Sequence, residues 1–333
     1  MTENRFWQLN SHPKGNDFES ALSLETSEMP KPKDGEVLIK NDYLSLDAGT
    51  RMWMTPRTDG YQPPLPLGSM MVGLCIGKVV ESRHPDFKAG DMVRAFGQWA
   101  DYSCVSPEMT GLVQIDTDLD DIRQHFGVLG MNGWTAYWGL HETAKIKTGD
   151  AVLISAAAGS TGILACQIAR NAGCRVYGLA GSDEKCRFLE TEIGIEKAFN
   201  YKTENLQEAF KEIEGGIDVY FDNVGGPILD SVFPNMALYG RIALCGLIAE
   251  YTADGPKGPQ QFDQILMKRL TVTGFFSPDF MDQGPRLSRE LRSSLDAGDI
   301  FIPFDETQGL ENMLTAYKKL FTGGNIGKVV LKL

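Results

Sequence analysis

The stretch Ala151-Val-Leu-Ile-Ser-Ala-Ala-Ala-Gly159-Ser-Thr-Gly162 constrains the fold more than any other part of this chain. A strand-like apolar run passes into small residues and then into a helical segment, Ile163 to Asn171. Read from Ala157 the pattern is A-x-G-x-x-G. A small residue permits the tight turn, Gly159 lets the backbone approach a pyrophosphate, and Gly162 allows close helix-to-strand packing. Ser160 and Thr161 then open a helix whose first amide groups face the phosphates. The alternative is a tight turn that binds nothing.

The surrounding pattern supports a dinucleotide-binding reading. Beyond Asp150, apolar strands alternate with helical segments: Ala151 to Ser155, Val176 to Leu179, Ala198 to Asn200, Val219 to Asp222, Ile242 to Cys245 and Leu270 to Phe275. Six such strands predict an α/β fold, a doubly wound parallel sheet of the Rossmann type. The earlier part of the chain has a different texture. Short β-type runs at Val37 to Lys40, Val72 to Glu81, Val93 to Phe96 and Tyr102 to Val105 are broken by Gly-Asp and Pro, which predicts a small, mostly antiparallel β-rich domain. After a helix from Leu310 to Leu320 and a Gly-Gly break at 323 and 324, the strand Lys328 to Leu331 is expected to return to it. At 333 residues, and about 100–200 residues per domain, two domains are expected. We place them at 1–121 with 300–333, and at 122–299, with a shared cleft for a small ligand.

Charge and cysteine usage narrow the function classes. A formal charge of -12 leaves no basic stripe for nucleic acid or an anionic membrane. No run approaches the ~18 apolar residues of a membrane span, and Met1 to Asn10 carry no signal-peptide pattern. The six cysteines, Cys75, Cys104, Cys166, Cys174, Cys186 and Cys245, are scattered with no C-x-x-C pair, as expected of reduced thiols in a cytoplasmic protein. The four histidines, His12, His84, His125 and His141, are isolated, and no cysteine cluster has tetrahedral metal-ligand spacing. No metal site is expected.

The end of the second strand bears on which dinucleotide binds. An NAD site places Asp or Glu there for the ribose, but this chain has Leu179-Ala180-Gly181. Ser182, Lys185 and Tyr201 offer hydroxyl and ammonium donors to a ribose 2′-phosphate, so NADPH is the expected cofactor. The competing reading takes Asp183 as the ribose acid, Lys185 as a solvated residue and Ser182 as a helix N-cap.

Further motifs carry a family resemblance over nearly the whole chain. They are Tyr43-Leu-Ser-Leu-Asp47, Leu129-Gly-Met-Asn-Gly-Trp-Thr-Ala-Tyr137, the glycine loop, Gly181-Ser-Asp-Glu-Lys185, Phe221-Asp-Asn-Val-Gly-Gly226, Cys245-Gly-Leu-Ile-Ala-Glu-Tyr251 and Gly324-Asn-Ile-Gly-Lys-Val-Val330. The chain resembles the zinc-independent medium-chain dehydrogenases/reductases, in the group of prostaglandin reductases, leukotriene B4 dehydrogenases and alkenal double-bond reductases. The resemblance implies a GroES-like fold for the β-rich domain. It implies that Lys185 and Tyr201 bind the 2′-phosphate, that Asn223 contacts the cofactor, and that Cys245, Gly246 and the loop to Tyr251 line the nicotinamide, with Phe275, Phe276 and Asn325 completing the pocket. The implied reaction reduces a carbon–carbon double bond conjugated to a carbonyl. Hydride goes to the β-carbon, and Tyr251 donates a hydrogen bond or proton. Tyr251 has a plainer reading as an aromatic packed on the cofactor.

Departures from the group matter too. Ser69 and Met70 stand where zinc-dependent relatives carry His-Glu, Gly49 stands where the group often has a pocket Tyr, and Asn132 replaces a usual proline. Met52, Trp53, Tyr61, Met131, Trp134 and Tyr137 are candidate pocket residues, each equally readable as core. A homodimer is expected, paired through a sheet edge such as Leu270 to Phe275. The runner-up function is a quinone reductase of the same superfamily, and a third reading is a non-catalytic NADPH-binding or structural protein.

Overall fold

The computed structural model describes residues 3–57, 63–251 and 258–333. It divides into two compact units, one of residues 1–126 with 304–333 and one of residues 127–303.

In the first unit, β1 (Glu3–Leu9) pairs antiparallel with β2 (Leu22–Glu28). A seven-stranded sheet comprises β3 (Val37–Ser45), β4 (Val72–Ser82), β5 (Met92–Gln98), β6 (Tyr102–Val105), β7 (Val113–Gln114), β14 (Phe304–Gln308) and β15 (Lys328–Lys332). Only β14 and β15 pair in parallel. Strand β5 alternates buried and half-buried positions, as a sheet with one face on a core requires. That core gathers Leu9, Phe18, Trp99 and Tyr317, with the Phe18 and Tyr317 rings 4.9 Å apart. The helix Met313–Thr322 supplies Tyr317 and stops at Gly323, which adopts the left-handed conformation (φ 69°) suited to glycine.

The second unit is built on a six-stranded parallel sheet. Its strands are β8 (Ala151–Ile154), β9 (Arg175–Ala180), β10 (Lys197–Asn200), β11 (Ile217–Asp222), β12 (Met236–Leu244) and β13 (Thr271–Gly274), in the order β10-β9-β8-β11-β12-β13. All four residues of β8 are buried, which matches a central strand covered on both faces. Strand order reverses between β8 and β11, and ligands of such sheets bind outside the carboxyl ends of the strands at that point.

The doubly wound fold and its β-rich companion agree with the expectation from sequence. Strands β1, β2, β7 and β14 were not anticipated. Strand β12 begins six residues before the expected Ile242, because its early part includes exposed Leu238 and Tyr239 and a left-handed Tyr239 (φ 61°), which break the apolar run. It ends at Leu244, leaving Cys245 in the following loop.

Candidate nucleotide and catalytic site

The glycine loop leaves β8 through Ser155 and Ala156. Ala156 is held in the left-handed region (φ 47°), a conformation that costs an L-residue about 1–2 kcal/mol. The turn is closed by the Gly159 amide donating to the Ala156 carbonyl at 2.9 Å, and by the Ala157 amide donating to Leu179 at 2.9 Å. Gly162 opens no space for a side chain, since a Cβ there would lie 2.2 Å from the Ala156 oxygen and 2.7 Å from the Ala157 Cα. The close approach is therefore helix to loop, with Ala157 itself buried against the sheet. The helix Ser160–Asn171 starts at Gly159 with no side-chain cap. Its first amides, from Ser160, Thr161 and Gly162, have no partner within the helix and fit an anionic diphosphate.

At the end of β9, two side chains crowd Gly181. A Cβ on Gly181 would meet the Tyr201 hydroxyl at 2.8 Å and Lys202 Cε at 3.2 Å. Burial, and then the nearby Lys202 charge, lower the Lys185 ammonium from its ordinary value. Ser182 caps the helix Asp183–Thr191, its hydroxyl oxygen accepting from the Lys185 amide at 3.3 Å. The capping half of the competing reading is thus correct, although the bond uses an acceptor lone pair and leaves the hydroxyl proton to donate elsewhere. Asp183 is engaged internally, its Oδ1 accepting from Asn200 Nδ2 at 2.7 Å.

The switch point is organised by Asp222, which the sequence reading passed over although it stands inside a quoted motif. Its Oδ1 accepts from Tyr220 Oη (2.9 Å), Ser155 Oγ (3.1 Å) and the amides of Val224 and Gly225 (both 2.9 Å). Its carbonyl accepts from the amides of Cys245 (2.8 Å) and Gly246 (3.1 Å). One residue thereby joins the ends of β8 and β11 to the loop that carries Tyr251. Burial pushes its carboxyl up, against the lowering effect of these donors. Asn223 is anchored beside it, its Nδ2 donating to the Ser155 carbonyl at 2.7 Å.

The loop after β12 turns Tyr251 back on itself. Its hydroxyl oxygen accepts from the Leu247 amide at 3.2 Å and would lie 3.3 Å from a Cβ on Gly246. Burial raises the phenol's pKa, while the backbone bond works in the opposite direction. Tyr251 is therefore neutral at ordinary pH, with its acceptor lone pair committed and its proton available. Phe275 packs into an aromatic group with Phe221 (6.0 Å) and Phe280 (6.5 Å), and both Phe221 and Phe275 close over Gly139. Phe276 is exposed.

These observations bring together Ala157, Gly159, Ser160, Thr161 and Gly162 in one turn, Ser182, Lys185 and Tyr201 in a second group, and Asn223, Cys245, Gly246 and Tyr251 in a third. Asn325 belongs to the first unit, where its buried amide donates to the Gly327 carbonyl at 2.9 Å.

Comparison with known proteins follows the same lines. The chain matches the family described as N-terminal domain of oxidoreductase over residues 5–115, and that described as zinc-binding dehydrogenase over residues 160–292. It is 38% identical to the 2-alkenal reductase (NADP(+)-dependent) of Nicotiana tabacum, over 97% of this chain and 94% of that protein. It is 35% identical to the NADPH-dependent curcumin reductase of Escherichia coli (strain K12), over 99% of this chain and 96% of the other. The crystal structure of CurA in complex with NADPH from Vibrio vulnificus is similar with a TM-score of 0.92 at 34% identity, covering 98% of both chains. The chain belongs to the medium-chain dehydrogenase/reductase family.

The zinc in one family description finds no donor set here. Among the described residues no three His, Cys, Asp or Glu side chains converge as a metal would require. The six cysteines form no disulfide. Burial pushes Cys75, Cys104 and Cys245 up to about 12, and Cys174 and Cys186 to about 11.

The pocket candidates separate. Trp134 is buried core, with Gly284 under its ring and its indole donating to Ser288 at 2.9 Å. Tyr137 stacks at 4.5 Å with His141, and Met131 begins the same helix. In the first unit Trp53 packs on Phe96 at 4.5 Å, Met52 is half-buried, and a Cβ on Gly49 would meet nothing within 4 Å. Tyr61 lies outside the described residues. Asn132, which stands in place of a usual proline, is buried and donates to Thr161 Oγ1 at 3.2 Å, so it braces the glycine loop.

Proposed function

We propose that this protein is an NADPH-dependent reductase of the carbon–carbon double bond in α,β-unsaturated aldehydes and ketones. The observation that carries this reading is similarity along nearly the whole chain to NADP-dependent alkenal and curcumin reductases, at 38% and 35% identity. The residues present also fit the cofactor. Uncapped amides at Ser160 to Gly162 suit a diphosphate, and the Gly181 surface offers cations and a phenol in place of an acid.

When bound, the dihydronicotinamide supplies a hydride for the β-carbon. The chain supplies the rest of the chemistry. Tyr251 donates its hydrogen bond to the carbonyl oxygen as negative charge develops there, because its own oxygen is already held by the Leu247 amide and its phenol is neutral. Asp222 holds the Cys245–Gly246 backbone through its carbonyl, and Ser155 holds Asn223. Phe275 and Phe276 wall the nicotinamide side. One proton, taken up from solvent at the α-carbon as the enolate oxygen returns to a carbonyl, completes the two-electron reduction.

Two further readings accompany this one. A cytoplasmic location is supported by six unpaired cysteines. A homodimer is supported by exposed apolar side chains, Leu238 and Tyr239 on β12 and Phe262, Leu266 and Met267 at the helix Asp263–Lys268, on elements neighbouring the sheet-edge strand β13.

The reading is tested by following nicotinamide oxidation with an aliphatic 2-alkenal, an aromatic enone and a simple quinone, with NADH as the control nucleotide. Alkenal or enone turnover with NADPH is expected to exceed quinone turnover. Faster quinone turnover would make the protein a quinone reductase, and no turnover with any of them would leave a binding protein.

A further inference from the structure

The carboxyl end of β9 holds more positive charge than Lys185 alone provides. Lys202 lies on the same surface as Tyr201, its Cε close to where a Gly181 side chain would be and its ammonium 6.0 Å from the centre of the Tyr201 ring. Among the described residues Lys202 makes no ion pair, and its charge is felt at Lys185 as a repulsion.

Two of the neighbouring acids, Asp183 and Glu204, are hydrogen-bonded to Asn200, while the Glu184 charge acts favourably on Lys185. Asn200, which is buried, takes Asp183 Oδ1 through its side-chain amide at 2.7 Å and Glu204 Oε1 through its backbone amide at 2.6 Å. Its own Oδ1 accepts from the Lys202 amide at 3.1 Å, which fixes the backbone from which the second lysine projects. One residue therefore engages two local carboxylates, through its side chain and its backbone, and fixes the backbone that carries a cation. Two like charges held near each other destabilise an empty site. A phosphate monoester carries about −1.5 to −2 charges at pH 7, more than one ammonium balances.

Resting on the NADPH reading above, we infer that Lys202 is a specificity-determining residue, the second cation for the ribose 2′-phosphate, and that it acts together with Lys185 and Tyr201. Gly181 serves this arrangement by letting Tyr201 and Lys202 pack close to the backbone at the end of β9, since a Cβ there would meet the phenol hydroxyl at 2.8 Å and Lys202 Cε at 3.2 Å. Asn200 acts through the others as a positioning residue.

The test uses Lys202→Met and Lys202→Arg in the full-length protein, measuring kcat/KM for NADPH and for NADH with one enone, and the affinity for 2′,5′-ADP and for 5′-AMP by calorimetry. For Lys202→Met the NADPH-to-NADH ratio is expected to fall about tenfold and 2′,5′-ADP to bind about tenfold more weakly, with 5′-AMP unaffected. Lys202→Arg is expected to retain most of the preference, since it keeps the charge. The inference is overturned if Lys202→Met leaves the ratio unchanged, or if both nucleotides weaken by the same factor, as a merely structural lysine would require. A wild-type protein without preference for NADPH would instead overturn the cofactor reading itself, a result distinguishable from either of these.

Discussion

Tyr251 is a phenol acted on in opposite directions, raised by burial and held through its oxygen by the Leu247 amide. If it donates to the developing oxyanion, Tyr251→Phe lowers kcat by about 10²-fold or more. NADPH affinity, measured by titration, should stay within about twofold, because the glycine loop and the Gly181 surface are untouched. An unchanged rate would leave Tyr251 a packing residue. At this scale the sequence was readable only where a side chain's role follows from its motif. Ser182 shows the limit, since a serine three residues before Lys185 is equally a cap and a ligand, and the structure uses its oxygen as the cap. Asn132 shows another, because its partner Thr161 is 29 positions away and no local spacing announces the bond.

Between β8 and the following helix, the strain sits at a residue the glycine pattern does not mark. Ala156 takes the left-handed conformation, and Gly162 is required because its α-carbon lies under the Ala156 carbonyl. Gly162→Ala is therefore expected to push the helix off the loop, lowering stability by about 1–3 kcal/mol and weakening NADPH binding. Gly159→Ala should be milder, since its Cβ would meet only the Ala156 oxygen, at 3.1 Å. Urea unfolding and cofactor titration of both variants check the order, and a reversed order would refute the geometry. The central strands were legible because complete burial makes them continuous apolar runs. Strands β1 and β2 were not, because a buried position of β1 carries polar Asn4 and β2 ends in the polar run Glu25 to Glu28, which leaves little apolar alternation to read, and their register depends on each other.

For the whole molecule, the dimer reading predicts a mass near twice the chain's 36.7 kDa by light scattering at micromolar concentration. Leu266→Glu combined with Met267→Glu should shift it to the monomer, because both side chains are more than half exposed. A monomeric wild type would remove the proposal. Stability should also fall in alkali. Tyr137 and Tyr177 are pushed up to about 12 from 10.0, and the cysteines to about 11 or 12 from 9.0. Each group holds its proton in the folded state where the unfolded chain has released it. The stability they contribute is complete below about pH 9 and lost as pH rises toward 12. The urea midpoint at about pH 10.5 should lie below that at about pH 8, and equal midpoints would contradict the assignment. The same buried thiols bear on survival in use. Conjugated aldehydes and ketones alkylate thiolates, and a thiol with a pKa near 11 is ionised in only about one molecule in 10⁴ at pH 7. If the protein reduces such electrophiles as proposed, it offers them little nucleophilic sulfur and is shielded from inactivation by its own feedstock.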